Sequence, residues 1–225
     1  MISMRNVSRE YRLDGGVITP VRDVSLEITP GEFVLLIGRS GSGKTSLLNL
    51  AGGLLRPTRG EVFIKGTDIW TLTDRQLAGL RAAVIGFVFQ FPNLIPTLTV
   101  MENTLLPISF NTKGKKSEAY NKAVRWLEKL GMEKRLRSFP GQLSAGEQKR
   151  AVLARALMND PEILLADEPT SDLDEQTEHE IMSVLNDLNA GGLTIFMVTH
   201  SSELIPQASR ALRLEEGKLV GFAPA

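Results

Sequence analysis

Short apolar runs alternate with longer amphipathic stretches along this chain, as a sheet flanked by helices requires. The runs predict strands at Ile2–Val7, Val21–Ile28, Phe33–Ile37, Gly60–Ile64, Val84–Phe89, Ile163–Ala166, Thr194–Val198 and Ala211–Leu214, with Lys218–Phe222 pairing with the last. Gly31, Gly60, Gly66 and Gly217 fall between strand candidates as turn residues. The early strands are joined by turns and are expected to be antiparallel. Those after residue 45 are separated by helices and are expected to be parallel. Residues 91–160 break the alternation: Pro92, Pro96 and Pro107 punctuate the start, and Met101–Leu106 and Ala119–Leu130 read as helices. This stretch is expected to form a helical sub-domain inserted between two core strands.

Within this pattern one segment names a ligand. After Phe33–Ile37 come Gly38, Arg39, Ser40, Gly41, Ser42, Gly43, Lys44 and Thr45, followed by Ser46 and a helical stretch to Leu50. This is the G-x-x-x-x-G-K-[ST] phosphate loop in its strand-then-helix setting. Backbone N–H groups of such a turn wrap phosphate oxygens above a helix N-terminus. Lys44 then reaches the β- and γ-phosphates, and Thr45 places its hydroxyl on Mg²⁺. The bland alternative, a glycine-rich turn without a ligand, does not require that setting. The class is therefore α/β: a phosphate-loop NTPase core with a parallel sheet flanked by helices, an N-terminal antiparallel β sub-domain and the inserted α-helical sub-domain, in one domain over residues 1–225.

A second element supports the first. The apolar run Ile163-Leu164-Leu165-Ala166 ends in Asp167-Glu168. A carboxylate at this place orients the Mg²⁺ shell in phosphate-loop NTPases, which assigns Asp167 to the metal, and Glu168 is placed to polarise a water against the γ-phosphate. Ser144 with Glu147 three residues on is a capping box, so a helix is expected to start at Ser144.

The segment Leu143-Ser144-Ala145-Gly146-Glu147 makes the resemblance specific. The chain resembles the nucleotide-binding subunits of ATP-binding cassette (ABC) transporters, in which Leu-Ser-Gly-Gly-Gln opens this helix and faces the γ-phosphate held by a second subunit. The resemblance implies that Ser144 and Gly146 bind nucleotide across a dimer. It also implies that Gln90 contacts Mg²⁺ or water and senses a membrane partner, that His200 contacts the γ-phosphate, and that Tyr11 stacks on adenine. Ser171-Asp172-Leu173-Asp174 resembles the loop that links the two active sites. Two residues depart from the pattern: Ala145 replaces a glycine and Glu147 replaces the glutamine. The Cβ of Ala145 narrows access to phosphate, and Glu147 adds negative charge unless it turns into its capping role.

Leu80–Gln90, Asn93–Asn103 and Leu164–Thr170 are similar to the lipoprotein-release and macrolide- or peptide-export ATPases. A cell-division ATPase is a near relative of that subfamily. The resemblance implies ATP and Mg²⁺ as cofactors, a head-to-tail homodimer formed on ATP binding, and an integral membrane permease subunit with an extracytoplasmic domain. It also implies a place on the cytoplasmic face of the plasma membrane. Two other classes share the phosphate loop. A soluble ABC ATPase of DNA repair or translation usually carries a coiled-coil insertion or two cassettes. A phosphate-loop kinase leaves the Ser144 segment unexplained.

Composition narrows this picture further. Lys+Arg and Asp+Glu both total 26, so no global basic field points to nucleic acid. Cysteine is absent, which excludes disulfides and thiolate metal sites and suits a reducing compartment. The N-terminus lacks an apolar signal-peptide core, and the longest apolar runs fall far short of the ~20 residues of a membrane helix. The expectation is a soluble, cytosolic chain. Lys113-Gly114-Lys115-Lys116 is expected to be a solvated loop, Trp70 and Trp126 to be packing residues, and His179 to be solvated.

Overall fold

The computed structural model describes residues 1–14, 16–109 and 116–224. β1 (Ile2–Leu13) and β2 (Gly16–Ile28) form a long antiparallel hairpin, and β3 (Phe33–Ile37) leads to α1 (Lys44–Ala51). β4 (Arg59–Ile64), β5 (Thr67–Asp68), α2 (Asp74–Val84) and β6 (Ile85–Val88) follow. Three helices come next: α3 (Val100–Ser109), α4 (Lys116–Lys129) and α5 (Ala145–Leu157). The chain then returns through β7 (Ile163–Asp167), α6 (Glu175–Ala190), β8 (Thr194–Thr199), β9 (Arg210–Glu215) and β10 (Lys218–Pro224).

Two sheets result. One is antiparallel, in the order β2-β1-β4-β5; the other runs β10-β9-β3-β8-β7-β6, parallel except for β10. Successive residues of the parallel strands alternate between two cores. Leu35, Leu164, Ile195 and Met197 face the cluster built with α3 to α6. Val34, Leu36, Leu165, Phe196 and Val198 face the cluster built with α1, α2 and the antiparallel sheet. Burial on both faces is why these strands read as unbroken apolar runs.

Three sequence expectations need correction. Val84 closes helix α2 and does not start a strand, and Phe89 lies beyond β6. The reason is a capping box: Thr73 Oγ1 accepts the Gln76 N–H while the Gln76 side chain accepts from Thr73, and the helix so opened runs to Val84. β4 follows the phosphate loop yet pairs antiparallel with β1. It reaches that sheet through a short turn from α1, where a parallel pairing needs a longer crossover. The hairpin β1–β2 runs beyond the expected Ile2–Val7 and Val21–Ile28, because its outer rungs, such as Arg12↔Val17, pair polar with exposed apolar residues and form no continuous apolar run.

Helices α3 and α4 extend one to three residues past most of their expected ends, and α4 closes one residue early. Trp70 and Trp126 pack against the two cores as expected, and His179 is exposed on α6. Residues 113–115 of the basic run lie outside the described residues, while Lys116 opens α4. Among the described residues no helix is long and apolar enough to cross a membrane.

Candidate active site

The carboxyl ends of β3, β6, β7 and β8 meet at one edge of the sheet, where ligands lie in open α/β folds. The β3–α1 turn there has no room for a side chain at Gly38 or Gly43, whereas Gly41 faces open space. At Gly43 (φ 103°) a Cβ would stand 1.8 Å from the Pro20 carbonyl oxygen; at Gly38 it would stand 2.5 Å from that of Leu214. The hairpin and β9 thus hold the loop from two sides. Gly43 caps α1 without a side-chain acceptor, which leaves the helix's first N–H groups for an anion.

Lys44 is buried beneath the loop, and its Nζ donates to the carbonyls of Gly38 (2.8 Å) and Arg39 (3.2 Å). One of its three donors is left for a ligand. Ser40, Gly41, Gly43, Lys44, Thr45 and Ser46 line an open cleft of about 520 Å³ together with Pro20, Gln90, Glu168 and His200. Arg39 and Ser42 lie on the loop's other side, along a second cleft with Glu215 and Glu216.

Asp167 ends β7 almost fully buried, and its Oδ1 has no hydrogen-bond partner. Burial pushes its carboxyl above the usual carboxylate range, and the neighbouring Glu168 charge adds to this. A hydrogen bond from Thr45 and the charges of Lys44 and Lys149 oppose the shift. A buried carboxylate oxygen without a partner is costly, and a hard cation held by oxygen donors would satisfy it. Asp167 and the Thr45 hydroxyl are donors of the kind Mg²⁺ takes, so the site fits that ion.

Glu168 follows in the left-handed region (φ 47°), unusual for a glutamate. Its N–H donates to the Val198 carbonyl (2.9 Å). Its Oε2 accepts from Gln90 Nε2 at 3.5 Å and lies 3.3 Å from His200 Nδ1. Two residues distant in sequence, Gln90 and His200, therefore converge on the Glu168 carboxylate at the cleft wall.

Other expected residues lie elsewhere. Tyr11 is not among the cleft residues, and the Arg9 guanidinium covers its ring at 4.5 Å. Ser144 and Gly146 do not line the cleft either. Ser144 caps α5, its Oγ accepting the Glu147 N–H at 3.2 Å. Glu147 is fully engaged: Oε2 accepts the Ser144 N–H (2.8 Å) and Oε1 accepts Arg135 Nε (2.7 Å). The Ser144 bond, with Arg135 assisting against burial, holds its carboxyl below the usual range. Gly146 is buried against α6, where a Cβ would stand 2.5 Å from the Thr177 methyl.

Sequence reasoning missed Lys149. It lies in the buried stripe Gly146, Lys149, Leu153 of α5, and a lysine at such a helical position is the signal that could have found it. Pro20, which faces the cleft from the hairpin, carried no local signal.

This fold and this cleft define a phosphate-loop ATPase of the cassette type. A family model for "ABC transporter" matches residues 21–171, and the chain belongs to that family. It is 42% identical over 219 residues to the macrolide export ATP-binding/permease protein MacB of Rhodopirellula baltica, covering 96% of this chain and 32% of that protein. It is 39% identical over 224 residues to the lipoprotein-releasing system ATP-binding protein LolD of Syntrophus aciditrophicus, covering 99% of this chain and 100% of that one. The chain thus spans about a third of this MacB relative and the full length of this LolD relative. Among solved structures it superposes on a dimeric post-hydrolysis state of the ATP-binding cassette MJ0796 bound to ADP and Pi. That match has a TM-score of 0.94 at 39% identity and covers 100% of this chain and 98% of that one.

Proposed function

We propose that this chain is the ATP-hydrolysing subunit that powers a membrane complex for export, lipoprotein release or mechanical transmission. The observation that carries the reading is the convergence of Lys44, Thr45, Gln90, Glu168 and His200 on one cleft, with Asp167, whose Oδ1 has no hydrogen-bond partner, bonded to Thr45. ATP lies along Gly38–Ser46, with the free Lys44 donor on its β- and γ-phosphates. Thr45, Asp167 and Gln90 hold Mg²⁺, which neutralises phosphate charge when bound. Glu168 accepts the proton of the attacking water, and His200, 3.3 Å from that carboxylate, holds the γ-phosphate.

Residues 1–225 act as one cassette domain, with the helical sub-domain over approximately 91–160. Two copies close head to tail, so that the partner's Ser144 and Gly146 complete each site; their absence from the cleft of the single chain supports this. Tyr11 takes the adenine ring once Arg9 withdraws. The permease in the MacB relative's name supports pairing with an integral membrane permease. In this reading that permease carries an extracytoplasmic domain, and this chain lies at the cytoplasmic face of the membrane. A formal net charge of zero favours no nucleic acid partner.

The test is Glu168→Gln. The amide keeps the shape but accepts no proton, so hydrolysis should fall by at least the ~10²–10⁴-fold of a general base. With ATP present the variant should then elute as a dimer in size-exclusion chromatography. A monomer with both sites occupied, or turnover at the wild-type rate, would remove Glu168 from the mechanism.

A further inference from the structure

The Lys149 side chain ties helix α5 to two loops that the sequence keeps far apart, the one after β6 and the one after β7. Its ammonium group is buried (6% exposed) and donates to the Gln90 carbonyl at 2.5 Å, the Glu168 carbonyl at 3.2 Å and Ser171 Oγ at 3.5 Å. An ammonium has three donors, and here each has an acceptor. Gln90 lies in the loop after β6, and Glu168 and Ser171 lie three residues apart in the loop after β7.

The Glu168 carbonyl matters most. Its residue sits in left-handed backbone (φ 47°), a conformation that costs a non-glycine residue free energy and persists only where the surroundings enforce it. The Glu168 N–H is fixed by Val198, and its carbonyl is fixed by Lys149 and by Ser171 Oγ at 3.0 Å. Both peptide groups flanking the Glu168 Cα are thereby set, and with them the direction of its side chain. The same ammonium lies among the charges of Asp172, Glu168 and Asp167. A buried cation compensates their mutual repulsion at a site that must also accept a polyphosphate.

Resting on the reading of Glu168 as the proton acceptor, we propose that Lys149 is a positioning residue for hydrolysis. It locks the Glu168 backbone so that the carboxylate faces the γ-phosphate, and it holds the Gln90 loop to the same point. Lys149 stands five residues into the helix capped by Ser144, a rise of about 7.5 Å. A shift of that helix on meeting the partner's nucleotide therefore moves Glu168 and Gln90 together.

Lys149→Met, which keeps length and burial but no donor, should lower kcat by about 10–100-fold, the range for residues that orient reactive groups from behind. MgATP affinity of the single subunit should stay within about twofold, because the hydrogen bonds of Lys149 go to Gln90, Glu168 and Ser171 and not to the phosphate loop. Lys149→Arg should restore part of kcat. In an E168Q background, single-turnover measurements should find that adding K149M changes the residual rate by less than about twofold, since its effect runs through Glu168. Should K149M fail to fold by circular dichroism and urea titration, K149Q, uncharged but still a donor, is read in the same cycle.

A folded K149M with wild-type kcat overturns the proposal. So does a fall in kcat matched by an equal loss of affinity, or an undiminished effect of K149M in E168Q. If E168Q itself turns over like the wild type, the reading of the site fails first, and the two failures are told apart.

Discussion

Gly146 lies in the segment expected to meet a nucleotide, yet its immediate steric need is internal. An added Cβ would stand 2.5 Å from Thr177 Cγ2. Thr177 cannot turn its methyl away freely, because Oγ1 donates to Asp174 Oδ2 at 2.6 Å at the cap of α6. Gly146→Ala sets two effects against each other. Helix propensity favours alanine by up to ~1 kcal/mol, less in a first turn. Overpacking a buried contact costs ~1–3 kcal/mol. The clash wins, for a net loss of about 1–2 kcal/mol.

With a urea m-value near the upper ~3 kcal/mol/M for a chain of this size, the midpoint should fall by about 0.5 M. The control is Thr177→Ser, which removes the methyl and keeps the hydroxyl. In the double variant the midpoint should rise back toward that of T177S alone, with a favourable coupling of about 1 kcal/mol. Urea denaturation of the nucleotide-free protein, followed by circular dichroism, measures all four corners of this cycle. A G146A midpoint at or above wild type, or strictly additive effects, would refute the packing argument. The glycine's role would then lie wholly in access to the partner's nucleotide.

Lys44→Ala should abolish hydrolysis and weaken MgATP binding by the ~1.5–3 kcal/mol of a charge-assisted contact, read by calorimetry and phosphate release. Ala145→Gly should leave single-subunit ATP affinity unchanged and alter only dimer-dependent turnover, since Ala145 is exposed beyond the cleft; a changed affinity in a monomeric sample contradicts the two-chain site. Glu147→Gln should destabilise the protein at neutral pH but not in acid. The folded-state pKa of Glu147 is depressed, so its contribution is present above the unfolded value of about 4.3 and is lost as pH falls through the lower folded value. Urea midpoints of both proteins at neutral and acid pH check this, and a pH-independent gap counts against it.

The sequence by itself determined the parts whose physics is local. A glycine pattern between an apolar strand and a helix needs only neighbouring residues to make a phosphate cradle, and Ser144 with Glu147 closes its capping box within one turn. Unbroken apolar runs announced strands buried on both faces, and Asp167-Glu168 at the end of one such run announced an acidic sheet edge.

Tertiary structure decided what depends on distant partners. Whether Val84 ends a helix or starts a strand turned on where β6 meets β7, whose first rung is Ile85↔Ile163. β4 could join either sheet, and the choice was made by β1. Burial of Gly146 against Thr177 and the reach of Lys149 to Gln90, Glu168 and Ser171 are contacts across 19 to 59 positions. No local propensity encodes them, because their free energy appears only when the sheet edge and the helices have packed together.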